Sequence, residues 1–378
     1  MKKLFTVLFA AVVLCAALCS CGGSDKKSMH SDPKATPEVL TVEEVITDMK
    51  IGWNLGNTLD APNGETSWGQ PETTKAMIDT VCELGFGTIR IPVSWGRHVS
   101  GDDHKIDKKW MDRVQEVVDW ALDNDMYVIL NSHHDNEYYY PSKDKSEESV
   151  KYINDIWTQI AERFKDYDQH LIFESMNEPR LSGTPNEWSF NSNVQDCLDA
   201  AEVINLCNQE YVDVVRASGG RNTDRFLMVA PYAAAPYSAL ADEFVLPKDP
   251  SDKLLLSVHA YTPFDICMDN DLSKRTFTDQ SKTAINDFMD KLSDKFIANG
   301  TRVIIGECGI INKGNPEDRY LWGEYFVSKA KEYGMMCVVW DNAAVELGSE
   351  NYGILDRRNL KVFSESEEYF KGLMAGLK

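Results

Sequence analysis

The chain has 378 residues, 43% hydrophobic and 10% aromatic, which suits one large domain or two small ones and is inconsistent with disorder. Its formal net charge of −21 disfavours nucleic acid and anionic lipid as partners and leaves a neutral or cationic substrate.

In chain order, Lys2 and Lys3 form a basic head, and Leu4 to Cys19 form an apolar run that is short for a membrane span. Residues 1–20 are therefore expected to be a signal peptide. Leu18-Cys19-Ser20-Cys21-Gly22 resembles a bacterial lipobox, which would leave Cys21 as the lipid-modified first residue of an exported lipoprotein, held at the periplasmic or outer face. Ordinary signal cleavage nearby, giving a secreted protein, is the alternative. Residues 21–40 read as a tether, and residues 41–378 as one folded domain.

From residue 41, strand and helix patterns alternate. Strands are expected at Ile51–Leu55, Thr88–Val93, Met126–Leu130, Leu171–Phe173, Phe226–Ala230, Leu254–Val258, Arg302–Gly306 and Met335–Val339. Between them lie helical patterns at 72–84, 107–122, 147–165, 197–217, 281–298 and 318–333, with a closing helix at 367–377. Met111, Val114, Val117, Val118 and Leu122, for example, fall on one helical face. Eight apolar strands alternating with helices predict a (β/α)8 TIM barrel in the α/β class; an open doubly wound sheet is the alternative.

The chemistry gathers where these runs end. Leu171-Ile172-Phe173-Glu174-Ser175-Met176-Asn177-Glu178-Pro179 must break after Glu178, because proline cannot continue a central strand. Arg302 to Glu307 also ends on an acid. Asn57, Arg90, His133, His134, Asn177, His259, Tyr261 and Trp340 stand at or near other strand ends, so all could face one bowl. Each has a plainer reading alone: an ion-pair partner for Arg90, a satisfied buried histidine for His259, core packing for Trp340 and Tyr261. Of the cysteines beyond the leader, Cys82, Cys197, Cys207, Cys267, Cys308 and Cys337 match no zinc spacing and read mostly as buried thiols. One helix across Cys197 and Cys207 would hold them too far apart to bond, so no disulfide is expected.

Gly52-Trp53-Asn54-Leu55-Gly56-Asn57-Thr58-Leu59-Asp60-Ala61 resembles the opening strand of glycoside hydrolase family 5, in particular its subfamily 4 endoglucanases. Asn177-Glu178-Pro179 resembles that family's acid/base motif, and Ile305-Gly306-Glu307-Cys308-Gly309 its nucleophile strand. Arg90 to Trp95, Ser132 to His134, Ser257 to Tyr261 and Trp340-Asp341-Asn342 extend the likeness over about residues 41–376. Ala343-Ala344 departs from it, since many relatives have Gly there.

The resemblance implies a retaining endo-β-1,4-glucanase, with Glu178 as acid/base, Glu307 as nucleophile and no cofactor or metal. The two carboxyls are then expected about 5–5.5 Å apart. Burial and the charge of Glu307 are expected to raise the pKa of Glu178, while Arg90 and Tyr261 keep Glu307 ionised. Asn177 would bind the sugar 2-hydroxyl, His259 tune Glu178, His133 hold substrate and Trp340 form a floor. Flat aromatics suit glucose rings. Trp53, Trp68 and Trp95, and tyrosines such as Tyr138-Tyr139-Tyr140, are candidates for the groove, whereas Trp110, Trp120 and Trp157 suit helix packing. The implied partner is a β-glucan polysaccharide, taken by a monomer that meets the membrane only through its lipid. Competing readings are a xyloglucanase, lichenase or β-mannanase on the same barrel, a non-catalytic surface glycan-binding lipoprotein, and a metal-dependent hydrolase using His133, His134 and His259.

Overall fold

The computed structural model describes residues 40–348 and 350–378, so the expected signal peptide, Cys21 and all but the last residue of the tether lie outside the described residues. Eight parallel strands close on themselves: β1 (Gly52–Asn54), β2 (Thr88–Ile91), β3 (Tyr127–Asn131), β4 (Leu171–Glu174), β5 (Leu227–Val229), β6 (Leu254–His259), β7 (Arg302–Cys308) and β8 (Met336–Val339). Each pairs with the next and β8 pairs with β1, which rules out the open sheet. Apart from Leu254 and Arg302 at the strand starts, every residue of these strands is buried. A parallel strand is covered on both faces, so it reads as a continuous apolar run.

The helices cover Lys75–Glu83, Lys108–Leu122, Ser146–Phe164, Gln195–Ala217, Asp279–Lys295, Pro316–Glu332 and Glu367–Ala375. Their apolar stripes lie inward, as with Met111, Val114, Val117, Val118 and Leu122, all buried against the barrel. Asp107 caps the second of them by accepting the Lys109 and Trp110 N–H groups at 2.9 and 3.0 Å. The β5–β6 connection carries only Pro236–Leu240, under two turns and too short to show a periodicity in sequence. Gln195–Ala217 spans both Cys197 and Cys207.

Side chains alternate across the strands into two cores. Outward residues pack under the helices. Inward residues, among them Ile129, Ile172, Met228, Leu255, Ile304 and Val338, fill the barrel together with Val45, Ile46 and Met49. Val45 and Ile46 come from a helix with no counterpart in the sequence patterning, Val42–Asp48, and Met49 caps its C-terminus; together they close the end where the strands begin. The helix starts with a reciprocal cap: Glu44 N–H donates to Thr41 Oγ1 at 3.2 Å, and Thr41 N–H donates to Glu44 Oε2 at 2.7 Å. Thr41-Val42-Glu43-Glu44 carries that signature openly.

Met49 is fully buried in this plug. Met49→Ala should cost about 2–5 kcal/mol, lowering the urea midpoint while leaving the activity of the folded fraction unchanged. An unaltered midpoint would mean that the helix does not seal the barrel.

Candidate active site

Towards the carboxyl ends of the strands the apolar filling gives way to a buried polar layer. Its centre is Arg90, near the end of β2 and fully buried. Arg90 Nε donates to Glu174 Oε2 at 2.7 Å, and Nη1 donates to Asn54 Oδ1 at 2.9 Å and Glu307 Oε1 at 2.8 Å. Nη2 donates to Asn177 Oδ1 at 2.7 Å. Burial works against the charge on Arg90, but Glu174 and Glu307 outweigh it and raise the guanidinium pKa further. Arg90 therefore lies beneath the cleft, with its donors turned to protein groups. It does not stand on the wall among the sugar-binding positions where the sequence reading placed it. Glu174, whose Oε1 accepts from Ser257 Oγ at 2.5 Å, escaped that reading, though an acid closing an apolar strand was its visible mark.

Glu307 reaches the cleft through a bulge. Val258 pairs with Ile305 but His259 pairs with Glu307, and on the other side Cys337 pairs with Ile305 and Val339 with Cys308. One extra residue on β7 breaks the alternation. Ile305 and Cys308 both face the outer core, and Gly306 and Glu307 between them face inward. A Cβ on Gly306 would lie 3.1 Å from Ser257 Oγ and 3.4 Å from both Glu174 Oε1 and His259 Nε2, so only glycine fits without displacement. The expected strand end at Gly306 thus falls short; β7 runs to Cys308. Tyr261 Oη donates to Glu307 Oε2 at 2.9 Å, completing with Arg90 the pair of donors expected for this carboxylate.

Glu178 follows β4 in the loop opened by Pro179, and its Oε1 lies 2.8 Å from His259 Nδ1. His259 Nδ1 is also 3.7 Å from Glu307 Oε2, and an oxygen of each carboxylate lies within 4.8 Å of the other. The Glu178 pKa runs opposite to expectation. Burial does push it up, but the hydrogen bond and charge of His259, with Arg180 and His134, outweigh burial and lower it. His259 shifts the other way: burial lowers its pKa, yet Glu307 and Glu178 more than compensate and raise it. Both directions favour the imidazole over the carboxyl as the holder of the proton this pair shares.

The remaining predicted positions surround the same cleft of about 630 Å³. Asn57, His133, His134, Asn177, Glu178, His259, Tyr261, Glu307 and Trp340 all line it. Arg90 fixes the Asn177 amide by its oxygen, which leaves the NH2 as the group to present to a ligand. Asn131 acts similarly on His133. Its Oδ1 accepts from Val93 N–H at 3.2 Å, so its NH2 donates to His133 Nδ1 at 3.1 Å, and the imidazole proton sits on Nε2, 3.9 Å from Glu307 Oε1. Burial, with His134 and Arg90, keeps His133 neutral. The Trp340 ring lies parallel to His133 at 5.7 Å. At the edge of the cleft, His134 is pushed down to about 4, chiefly by burial, beside Asp60, which burial raises to about 6. Ala343, where relatives were expected to have Gly, takes a left-handed φ of 54° that glycine adopts at less cost.

Several aromatic assignments need correction. Trp53 and Trp95 are buried, with their indole N–H groups on Asp341 Oδ2 at 2.7 Å and Asn131 O at 2.9 Å, so of the proposed groove tryptophans only Trp68 lines the cleft. Tyr139 is buried and Tyr138 and Tyr140 pack on the core. Trp110 and Trp157 are core residues and Trp120 packs against them, as expected. The wall includes instead Trp188, 60% exposed, from a loop, and Tyr237, from the short helix Pro236–Leu240, neither with a strand pattern to flag it.

Two groups among the described residues have metal-like spacing, Asp60–His133–His134 and Glu178–His259–Glu307. The three histidines of the metal-hydrolase reading are thus split between them. The carboxylate oxygens are already engaged: those of Asp60 accept Asn57 and Thr58 N–H groups, and those of Glu307 accept from Arg90 and Tyr261. This arrangement suits two carboxylates working on a ligand between them better than donors converging on an ion.

The family model for cellulase, glycosyl hydrolase family 5, matches residues 54–346. Endoglucanase 1 of Ruminococcus albus is 43% identical over 343 residues, covering 89% of this chain and 82% of the relative. Endoglucanase B of the same organism is 39% identical, with coverage of 99% and 96%. Among solved structures, a family 5 lichenase from Caldicellulosiruptor sp. F32 is 45% identical with a TM-score of 0.86, covering 91% of this chain and 97% of that one. A broad-specificity endoglucanase of subfamily 4 from Ruminococcus champanellensis, with bound cellotriose, is 42% identical with a TM-score of 0.84, covering 90% and 100%.

Gly306→Ala should move Ser257, Glu174 or His259 by a few tenths of an ångström. Because about 1 Å of misplacement near a reacting centre can cost 10²-fold, turnover should fall roughly ten- to a hundredfold with little change in melting temperature. Wild-type turnover would show that the bulge does not aim Glu307.

Proposed function

Because this chain belongs to glycoside hydrolase family 5, we propose that its reaction is carried by Glu178 as acid/base and Glu307 as nucleophile. The chain is a retaining endo-β-1,4-glucanase. The observation that supports these two roles is the gap between the carboxylates: oxygens within 4.8 Å fit the spacing of double displacement and leave too little room for the water that inversion places between them.

In the first step a Glu307 oxygen attacks the anomeric carbon and the glycosidic bond breaks. The departing oxygen takes the proton held by the Glu178–His259 pair. In the second step Glu178, now the base, removes a proton from water, which attacks the anomeric carbon and frees Glu307. Arg90 and Tyr261 orient Glu307 for attack and receive it again as a carboxylate. The Asn177 NH2 donates to the 2-hydroxyl, a bond that strengthens as charge develops on the ring. Neutral His133 donates from Nε2 to the same sugar, Trp340 supports its apolar face, and Asn57 and His134 bind at the rim beside Trp68.

The lichenase and the broad-specificity relative support a preference that extends from cellulose-like to mixed-linkage β-glucan. We propose that the chain acts as a monomer. For location we propose an exported lipoprotein anchored through Cys21, on the strength of the lipobox. Among the described residues no helix is long and apolar enough to cross a membrane.

Glu307→Gln should lose several orders of magnitude in turnover on barley β-glucan and carboxymethylcellulose while still binding them; near wild-type turnover would remove Glu307 from the reaction. Glu178→Ala should recover on an aryl cellobioside when azide is added, yielding a β-glycosyl azide, and a folded variant without rescue would exclude the acid/base role. Cys21→Ser should move the protein from the membrane fraction to the soluble one; retention would point to some other anchor.

A further inference from the structure

Arg180, immediately after Pro179, has no part in the reaction as described, yet it touches the proton donor and an exposed aromatic at once. Its Nη1 donates to the Glu178 carbonyl oxygen at 2.9 Å and lies 3.5 Å from Glu178 Oε2. Its Nε donates to Glu187 Oε1 at 3.2 Å, and its guanidinium carbon stands 3.9 Å from the centroid of the Trp188 ring. The side chains of Arg180 and Glu178 are only 14% and 17% exposed, so their attraction is weakly screened, whereas Trp188 is 60% exposed and lines the cleft. The loop between them is held in place: Glu187 Oε2 accepts Gly183 N–H at 3.0 Å, and Tyr232 Oη accepts Leu181 N–H at 3.1 Å and donates to Asn186 O at 2.9 Å.

We infer that Arg180 is a positioning residue that ties the aromatic wall at Trp188 to the charge on Glu178. A guanidinium held over the face of an indole is restrained and partly shielded from water. Trp188 therefore fixes how near the cation stands to the carboxylate. This inference rests on the reading of Glu178 as acid/base. Other charges face Glu178 too: His259 from β6, His134 from the end of β3, and Glu307 from β7, with the Tyr261 phenol nearby. His134 also meets an exposed wall aromatic, Trp68, at 5.4 Å between ring centroids, but its pKa is pushed down to about 4 and it is neutral at working pH. Arg180 is therefore the lasting cation among them that lies on such a ring. A cation here favours the ionised carboxylate and weakens the hold of the Glu178–His259 pair on its proton. It therefore eases release of the proton in the first step and, with the other groups that face Glu178, sets the pH above which that step lacks its proton.

The test is the pH profile of kcat/KM on a soluble β-glucan. Arg180→Gln removes the cation, so the proton is held more tightly and the basic limb should move up by about one pH unit. Arg180→Lys keeps a cation over the Trp188 ring and should leave that limb within a few tenths of a unit of wild type. Trp188→Ala should move it in the same direction as Arg180→Gln, by less, besides raising KM. A basic limb unmoved in Arg180→Gln, with kcat lowered equally at every pH, would overturn the inference, as would Trp188→Ala raising KM alone. Azide rescue of Glu178→Ala separates the two failures: rescue with an unmoved Arg180→Gln limb overturns the coupling only, and absence of rescue overturns the acid/base reading and the coupling together.

Discussion

The site depends on one buried cation. Arg90 has no solvent to stabilise it, and desolvating a guanidinium costs several kcal/mol unless charge and hydrogen bonds replace the lost water. The replacement comes from Asn54 on β1, Glu174 on β4, Asn177 in the loop after β4, and Glu307 on β7. Ser257 on β6 then closes the outer side of Glu174. Five of the eight strands are thus tied to one level through a single side chain. Each group serves Arg90 and is oriented by it in return: Glu307 takes up its angle, and Asn177 turns its NH2 outward. Removing any one partner would leave a charge or a donor stranded in a dry layer, which costs more than the contact itself contributes.

The same layer divides labour between the two acids. Glu307 stands on the buried side, gripped by two fixed donors. Glu178 stands nearer the solvent, against an imidazole that competes with it for a proton. The expectation of a raised Glu178 pKa treated burial and the neighbouring carboxylate as the dominant influences. A tuning role for His259 leaves open which partner holds the proton. A sequence shows that His259 closes a strand, but not that its Nδ1 meets Glu178 at 2.8 Å. Once that contact exists, the useful quantity is the proton affinity of the pair, and the proton can pass to the leaving oxygen as the sugar displaces water around Glu178.

What was legible in sequence follows from this design. Strands covered on both faces announce themselves as apolar runs, and residues at their carboxyl ends in a closed barrel converge on one side. The eight strands, the long helices and the polar cleft residues at the strand ends could therefore be found from pattern and motif. What stayed hidden was geometry that breaks the pattern or lies off the strands. The bulge at Gly306 reverses the side-chain alternation just where Glu307 needs it. Trp53 and Trp95 sit in motif segments but turn into the core, because each indole N–H finds a buried acceptor. Trp188 and Tyr237 belong to connections whose path no periodicity predicts. Glu174 and the Val42–Asp48 helix are different: both carry a visible signal, an acid ending an apolar strand and a capping box.

The division between strand ends and loops also bears on where substrate preference can reside. The polar layer is nearly saturated: the Arg90 donors, both Glu174 oxygens and the Asn54 amide all have protein partners. Little there can change without unfixing the carboxylates, so this layer can define the bond that is cut but hardly the polymer that carries it. The cleft walls have no such constraint. Trp68, Trp188 and Tyr237 stand on the connections between strands and are 45%, 60% and 58% exposed, so they can be exchanged at small cost to the barrel. The exception is a wall residue wired back to the machinery. The contact of Arg180 with the Trp188 ring makes one such link, and through it a change made for the sake of substrate shape reaches the proton on which cleavage depends.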